Sequence, residues 1–356
     1  MGMSSTRGGS GSLSSLVYPQ VAGPVPQVVA LQRVNDSGSL RLEYVGEASG
    51  SPLVAVVGPT GSGKSELALG IATELDGEIV NCDSLQVYRY LDIGTAKLLP
   101  DERRGIPHHL LDILNPDQVF AAGEYARTAR PVLRDIAGRG RLPVIAGGTG
   151  FYLRALLEGL FPGPARSETL RRRLARREAN HAGWLHRLLA RYDPPSAARI
   201  HATDVQKLIR AAEVLIATKR PLSSWFAEPR DALAGFRVLK IGIDPPRAAL
   251  YERLDMRCAL MFEGGLVDEV RRVLEMGYPP DSKALQSHGY RQAVQIIQGT
   301  LDPAEALYYA RRDTRRYAKR QWTWFRRDPE VHWLRGFGED PELLKEALRE
   351  FNDFKP

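Results

Sequence analysis

The sequence predicts an α/β fold, a P-loop NTPase-like parallel sheet flanked by helices, with a helical insertion. Three observations carry this. Residues 53–57 form a short β-rich apolar run that leads into a glycine-rich turn and then a helical pattern. Further short apolar runs follow, with helical stretches between most of them, and such alternation builds parallel sheets. From about residue 166 to residue 219 the strands cease, and the chain becomes dense in Arg, Ala and Leu.

Residues 53–57 read as a buried strand. Residues 65–75, SELALGIATEL, place apolar side chains at helical spacing. Residues 78–82, EIVNC, form a second strand that ends at Asp83. Residues 109–113 form a third. Residues 142–146, LPVIA, form another and end in the turn GGTG, and residues 238–243 are the last clear strand. After Pro245 the pattern is helical to about Arg327, with breaks at Gly264, near Gly277 and at Pro303. The organisation expected is a catalytic core over residues 51–163 and 204–335, a helical insertion over 164–203, and a C-terminal helix or tail over 336–356. Residues 1–50 begin rich in Ser and Gly and are expected to be a disordered tail outside the fold.

Composition narrows the classes. With 356 residues, 43% hydrophobic and 26% charged, the chain suits a soluble globular protein of about two packed units. Lys and Arg number 49 against 42 Asp and Glu, and the resulting +7 suits a polyanionic partner. Cys82 and Cys258 are the two cysteines, and neither belongs to a CxxC. That excludes a disulfide framework and a cysteine-rich zinc site, and a cytoplasmic, reducing setting is expected. No apolar stretch approaches a membrane span, so no membrane association is expected. His108, His109 and His201 share no metal-ligand spacing.

Gly58, Pro59, Thr60, Gly61, Ser62, Gly63, Lys64 and Ser65 read GPTGSGKS, a full match to GxxxxGK[ST] between a strand and a helix. Glycines let the backbone curl until successive N–H groups face an anion, and the helix N-terminus adds partial positive charge. Lys64 adds a mobile full charge. The Ser65 hydroxyl is placed to ligate magnesium, the cofactor expected here. The loop indicates a diphosphate or polyphosphate without indicating a nucleoside triphosphate. The strand over 142–146 ends in GGTG, with no acid to act as a Walker B group. Asp83 and Asp244 both end strands, and either could formally fill that role. Asp83 opens DSLQVY, with DIGTAK following at 92–97. A carboxylate at that sheet edge suits chemistry, and it suits a helix N-cap equally.

These pieces together resemble the tRNA dimethylallyltransferases. The matching motifs are GPTGSGKS, DSLQVYRYLDIGTAK, PHHLLDI, GGTGFYLRALLEGL, DVQKLIRAAEV, GYRQ and AKRQWTWFRR, in order from Leu53 to about Arg327. The resemblance implies transfer of a dimethylallyl group from dimethylallyl diphosphate to N6 of adenosine 37 in the anticodon stem-loop of tRNA. It implies Asp83 as general base, Thr149 near the reacting centre, and loop residues 60–65 holding the diphosphate with magnesium. It implies tRNA contacts at Asp83, Ser84, Leu85, Gln86 and Thr149, at Arg171, at Gln206, Lys207, Leu208, Ile209 and Arg210, and at Gln286, Ser287, His288, Gly289, Tyr290 and Arg291. Gly61 stands where the family commonly has Ala, a change such a turn should tolerate. His288 stands where an aliphatic residue is usual. Two cysteines cannot build the zinc finger of eukaryotic members, so the resemblance is to the bacterial type. A monomer is expected.

Leu250, Leu254, Arg257 and Met261 fall on one helix face. An Arg on an apolar stripe needs an anionic partner unless it snorkels or meets a local Glu. The family aligns a diphosphate-binding Arg at Arg257. Eight arginines lie in residues 166–191, and pairs of cations recur every four residues at 311–320. Such stripes suit a phosphate backbone, although a solvated helix face looks the same. Rival readings are a P-loop small-molecule kinase, an adenylate prenyltransferase acting on free AMP or ATP, and a non-catalytic RNA-binding P-loop protein.

Overall fold

The computed structural model describes residues 50–354 and, before them, the backbone of two short strands. These are β1 (Gln32–Val34) and β2 (Leu40–Leu42), which pair antiparallel with Gln32 opposite Leu42. The remainder of the expected tail over residues 1–50 lies outside the described residues.

The main sheet holds β3 (Ser51–Val57), β4 (Gly77–Asn81), β5 (His108–His109), β6 (Leu142–Ala146), β7 (Phe236–Ile243) and β8 (Val331–Leu334). Their order is β5-β4-β6-β3-β7-β8, and every pair is parallel. The central strand β3 explains why its sequence does not alternate. Leu53, Val54, Ala55 and Val56 are all fully buried, because both faces of the sheet are covered. Leu53, Ala55 and Val57 point into one apolar layer, and Val54 and Val56 into the other.

The first layer is filled from α2 (Ala122–Gly138), α3 (Gly150–Leu157), α10 (Leu266–Glu275) and α11 (Tyr290–Ile297). The second is filled from α1 (Lys64–Glu74) and α13 (Pro341–Phe354), which contributes Leu343, Ala347 and Phe351. Two further helices, α9 (Arg247–Glu263) and α12 (Pro303–Phe325), pack through Leu250, Leu254, Ala318 and Trp322. Asp302 caps α12 by accepting from the Ala304 and Glu305 amides, with Pro303 at the first helical position.

The insertion comprises α4 (Glu168–Asn180), α5 (Trp184–Tyr192), α6 (Pro194–Arg199), α7 (Val205–Thr218) and α8 (Leu222–Trp225). It has its own apolar centre, which includes Leu174, Leu185, Leu189, Leu208 and Leu222. Helices α7 and α8 therefore pack with the insertion, although they lie beyond the 164–203 span.

Two strands differ from the sequence reading. The third expected strand, over 109–113, is cut to two residues because Leu110 and Asp112 adopt left-handed backbone (φ 62° and 55°). Edge strand β8 went unseen, since four residues of mixed polarity carry little periodic signal.

Candidate active site

The loop after β3 is shaped by glycines at positive φ. Gly61 has φ 78° and Gly63 φ 87°. A side chain at Gly63 would lie 2.6 Å from the Gly338 amide nitrogen. At Gly61 a Cβ would lie 2.7 Å from Leu254 on α9. Glycine in place of the family's common alanine is therefore accommodated, as expected, and in this chain both the backbone conformation and Leu254 favour it. Helix α1 starts at Lys64, so its first amides have no helical acceptor and face the loop's mouth. The Lys64 ammonium donates to the Pro59 carbonyl at 2.7 Å. Burial lowers its pKa to about 8, with Asp83 opposing the shift and Arg257 adding to it.

Strand β4 delivers the carboxylate. Asn81, its last residue, accepts from the Asp83 amide (3.0 Å) and donates to the Leu110 carbonyl (3.1 Å). One Asp83 oxygen accepts from the Leu85 amide at 2.8 Å. The same side chain lines a cleft with Thr60, Arg257, His288 and Tyr317. Asp83 thus serves its own turn and also faces the cleft. Thr149, at the start of α3, accepts from the Ser84 amide at 3.0 Å through its hydroxyl, so two strand-end turns meet.

Arg257 reaches this cleft from α9, and among the described residues no carboxylate pairs with it. Burial lowers its pKa, and Arg253 contributes next. A half-buried guanidinium without a counter-ion suits an anionic ligand. The His288 ring lies 4.7 Å from that of Tyr317. Burial pulls the His288 pKa down, which favours neutral imidazole. Burial pushes the Tyr317 phenol up.

Ser65, the second residue of α1, lines a recess with Asn81, Gln86 and His108. Among the described residues no cluster of three His, Cys, Asp or Glu could hold a metal. Hydroxyls and a single carboxylate near the loop fit a magnesium ion that keeps its waters and takes most ligands from phosphate oxygens. Asp244 is spent elsewhere, accepting from Trp322 at 2.7 Å and from Arg326 at 2.8 Å. It is therefore tied to α12 and is not free to act as a Walker B acid.

The residues proposed from sequence to contact RNA divide into surface and core. Leu208 and Ile209 are buried in the insertion's centre, and Tyr290 is fully buried with its hydroxyl on Glu269 (2.7 Å). Burial leaves these three side chains no free surface for tRNA, against the expectation that they touch it directly. Gln206 and Lys207 are exposed. Arg171 and Arg210 both bind the fully buried Glu213, at 3.2 and 2.8 Å, which also accepts from the Ser167 amide. Arg291 pairs with Asp313 at 2.8 Å. Gln286 donates to the Pro280 carbonyl and is exposed. On α12, Arg315 is bound to Asp255 of α9 and Arg312 to Asp313. Part of each basic stripe is thus internally neutralised.

Sequence reading missed Glu269, Lys97 and Gln321. Buried Glu269 accepts from the Asp92 and Ile93 amides and from Tyr290, so it joins DIGTAK to GYRQ. Lys97 braces Asp92 (2.7 Å) and Asp112 (2.6 Å). The available signal was a charged residue at an apolar helix position, as with Glu269 in VDEV.

The fold and the loop define a P-loop α/β protein with a helical insertion. The chain belongs to the IPP transferase family, whose model matches residues 86–328. It is 63% identical over 297 residues to a tRNA dimethylallyltransferase of Solibacter usitatus, covering 83% of this chain and 97% of that one. It is 53% identical to another from Koribacter versatilis, with the same coverage. The full-length tRNA isopentenylpyrophosphate transferase from Bacillus halodurans superposes with a TM-score of 0.63 at 34% identity, covering 85% of this chain and 98% of that one. A eukaryotic dimethylallyltransferase captured acting on tRNA gives a TM-score of 0.71 at 25% identity, covering 86% and 80%. Among the described residues no helix is long and apolar enough to cross a membrane.

Proposed function

We propose that this chain transfers the dimethylallyl group of dimethylallyl diphosphate to N6 of adenosine 37 in tRNA. The observation that carries the reading is one cleft shared by Thr60 of the phosphate loop, Arg257 without a counter-ion, and the Asp83 carboxylate. The names of its relatives point the same way.

The allylic C–O bond breaks, and its electron pair leaves with the diphosphate. Loop amides, Lys64 and Arg257 stabilise that developing charge. Bound magnesium, held by the Ser65 hydroxyl and the phosphates, would supply further positive charge. The N6 lone pair forms the new C–N bond while Asp83 accepts the N6 proton. The Asp83 turn is held by Asn81 and by the Thr149–Ser84 contact, which fixes where the base must lie. His288 and Tyr317 supply ring faces beside that position. The enzyme acts as a monomer in the cytoplasm, with exposed cations of the insertion and α12 receiving the anticodon stem-loop.

The test is direct. The protein is incubated with dimethylallyl diphosphate, magnesium and unmodified tRNA, and nucleosides are weighed by mass spectrometry. One adenosine should gain a dimethylallyl group. Turnover of ATP in place of this product would favour a kinase, and prenylation of free AMP with untouched tRNA would favour the adenylate prenyltransferase.

A further inference from the structure

Gln321 sits on α12, far in sequence from both turns of the cleft, and is 5% exposed. Its Oε1 accepts from the Thr60 amide at 2.7 Å, and its Nε2 donates to the Gly148 carbonyl at 2.9 Å. Thr60 belongs to the phosphate loop. Gly148 immediately precedes Thr149, which holds the Ser84 amide beside Asp83. We propose that Gln321 is a positioning residue for the transfer, setting the distance between the diphosphate cradle and the turn that presents the base and nucleophile. This rests on the transferase reading above.

The chemistry of the two partners selects this side chain. One partner is an N–H and needs an acceptor. The other is a carbonyl and needs a donor. A primary amide carries one of each, at the spacing of neighbouring atoms. Glutamate keeps the acceptor and loses the donor, methionine has the shape and neither function, and asparagine is one methylene short. The fit is close, since a Cβ at Gly148 would lie 2.1 Å from Nε2. Gly148 is therefore glycine because the amide occupies that space. The Thr60 amide is likewise engaged by Gln321, so the cradle for phosphate begins further along the loop.

Transfer needs the carbon and N6 within about 3–3.5 Å, and a misplacement of about 1 Å costs about 100-fold in rate. The two partners stand on turns after different strands, β3 and β6. Gln321 bridges those turns at the level of the cleft. Tyr317, one helical turn earlier, lines the cleft itself.

The test compares Gln321→Met, Gln321→Asn and Gln321→Glu with the wild type, all as full chains. Thermal unfolding, binding of magnesium pyrophosphate, tRNA binding and the single-turnover rate are measured for each. Gln321→Met should melt within a few degrees of wild type and bind tRNA normally. Its single-turnover rate per folded molecule should fall about 10- to 100-fold. Pyrophosphate affinity should weaken several-fold as the loop loses its tether. Gln321→Asn should recover part of the rate, and Gln321→Glu should not, because its carboxylate faces the Gly148 carbonyl. A Gln321→Met rate equal to wild type overturns the inference. So does a rate loss that only tracks loss of folded protein, with pyrophosphate affinity unchanged. A wild type that leaves tRNA unmodified overturns the transferase reading instead, and pyrophosphate affinity still tests the tether.

Discussion

Lys64 holds a charge that the loop itself discourages. Burial brings its pKa to about 8, so in the free protein the ammonium is full below that value and lost as pH rises through it. A bound diphosphate would hold the proton on. Relative to Lys64→Arg, whose charge persists, affinity for pyrophosphate should therefore weaken above about pH 8, approaching tenfold per unit. Titration calorimetry of both proteins on either side of that pH checks this. Asp83 invites a second measurement. Asp83→Asn keeps an oxygen for the Leu85 amide but cannot take a proton. It should lower kcat by about 10²–10⁴-fold and leave tRNA affinity within a few-fold. Full turnover in the folded variant would remove Asp83 from the mechanism. Both residues stood out in the sequence because their motifs are contiguous. Gln321 and Glu269 did not, because their partners lie far away in the chain.

At the scale of elements, β3, α1 and β6 were legible because each is a short run whose own composition decides its state. The strand at 109–113 failed where left-handed residues interrupt it, and β8 failed for want of length. The insertion was legible as helical, but its extent was not. The membership of α7 depends on Leu208 and Ile209 meeting Leu185 and Leu189, which is a tertiary fact. The same packing decides which arginines can reach RNA. Arg171 and Arg210 are held by Glu213, whereas Arg172, Arg173 and Arg176 of α4 are exposed, and no ion pair to them is present among the described residues. Replacing these three by Gln should weaken tRNA binding and lower the slope of log affinity against log salt by about 0.7–0.9 per lost phosphate contact. Pyrophosphate binding should not change. An unaltered slope would show that α4 faces solvent in the complex.

Across the whole molecule, the sheet's far edge carries a buried charge cluster. Glu78 is 2% exposed and is bound by Arg139, Arg141 and His109. The Arg139 hydrogen bond, ahead of burial and His109, brings its pKa down from 4.5 to about 2. A carboxylate depressed in this way stabilises the fold above its ordinary pKa, and the benefit is lost as pH falls from about 5 through 2. Because the Arg139 and Arg141 partners are exposed and screened by solvent, the contribution is on the order of 1 kcal/mol. Chemical denaturation at pH 7 and pH 4 should show Glu78→Gln less stable than wild type at pH 7, with the gap closing toward pH 3. An equal gap at every pH would mean that Glu78 acts through packing alone.

The phosphate loop is finished by residues made much later. Gln321 holds Thr60 across 261 positions, and the Gly338 amide donates to the Ser62 carbonyl at 2.8 Å. During synthesis the motif emerges early, yet its shape depends on a helix and a turn still untranslated. A nascent or prematurely terminated chain would carry all of GPTGSGKS and lack these two braces. Translation itself then orders events: the loop gains both braces only after α12 and the turn at Gly338 have left the ribosome. Messages broken between the codons for residues 300 and 320 should yield fragments that bind pyrophosphate more weakly than the full chain.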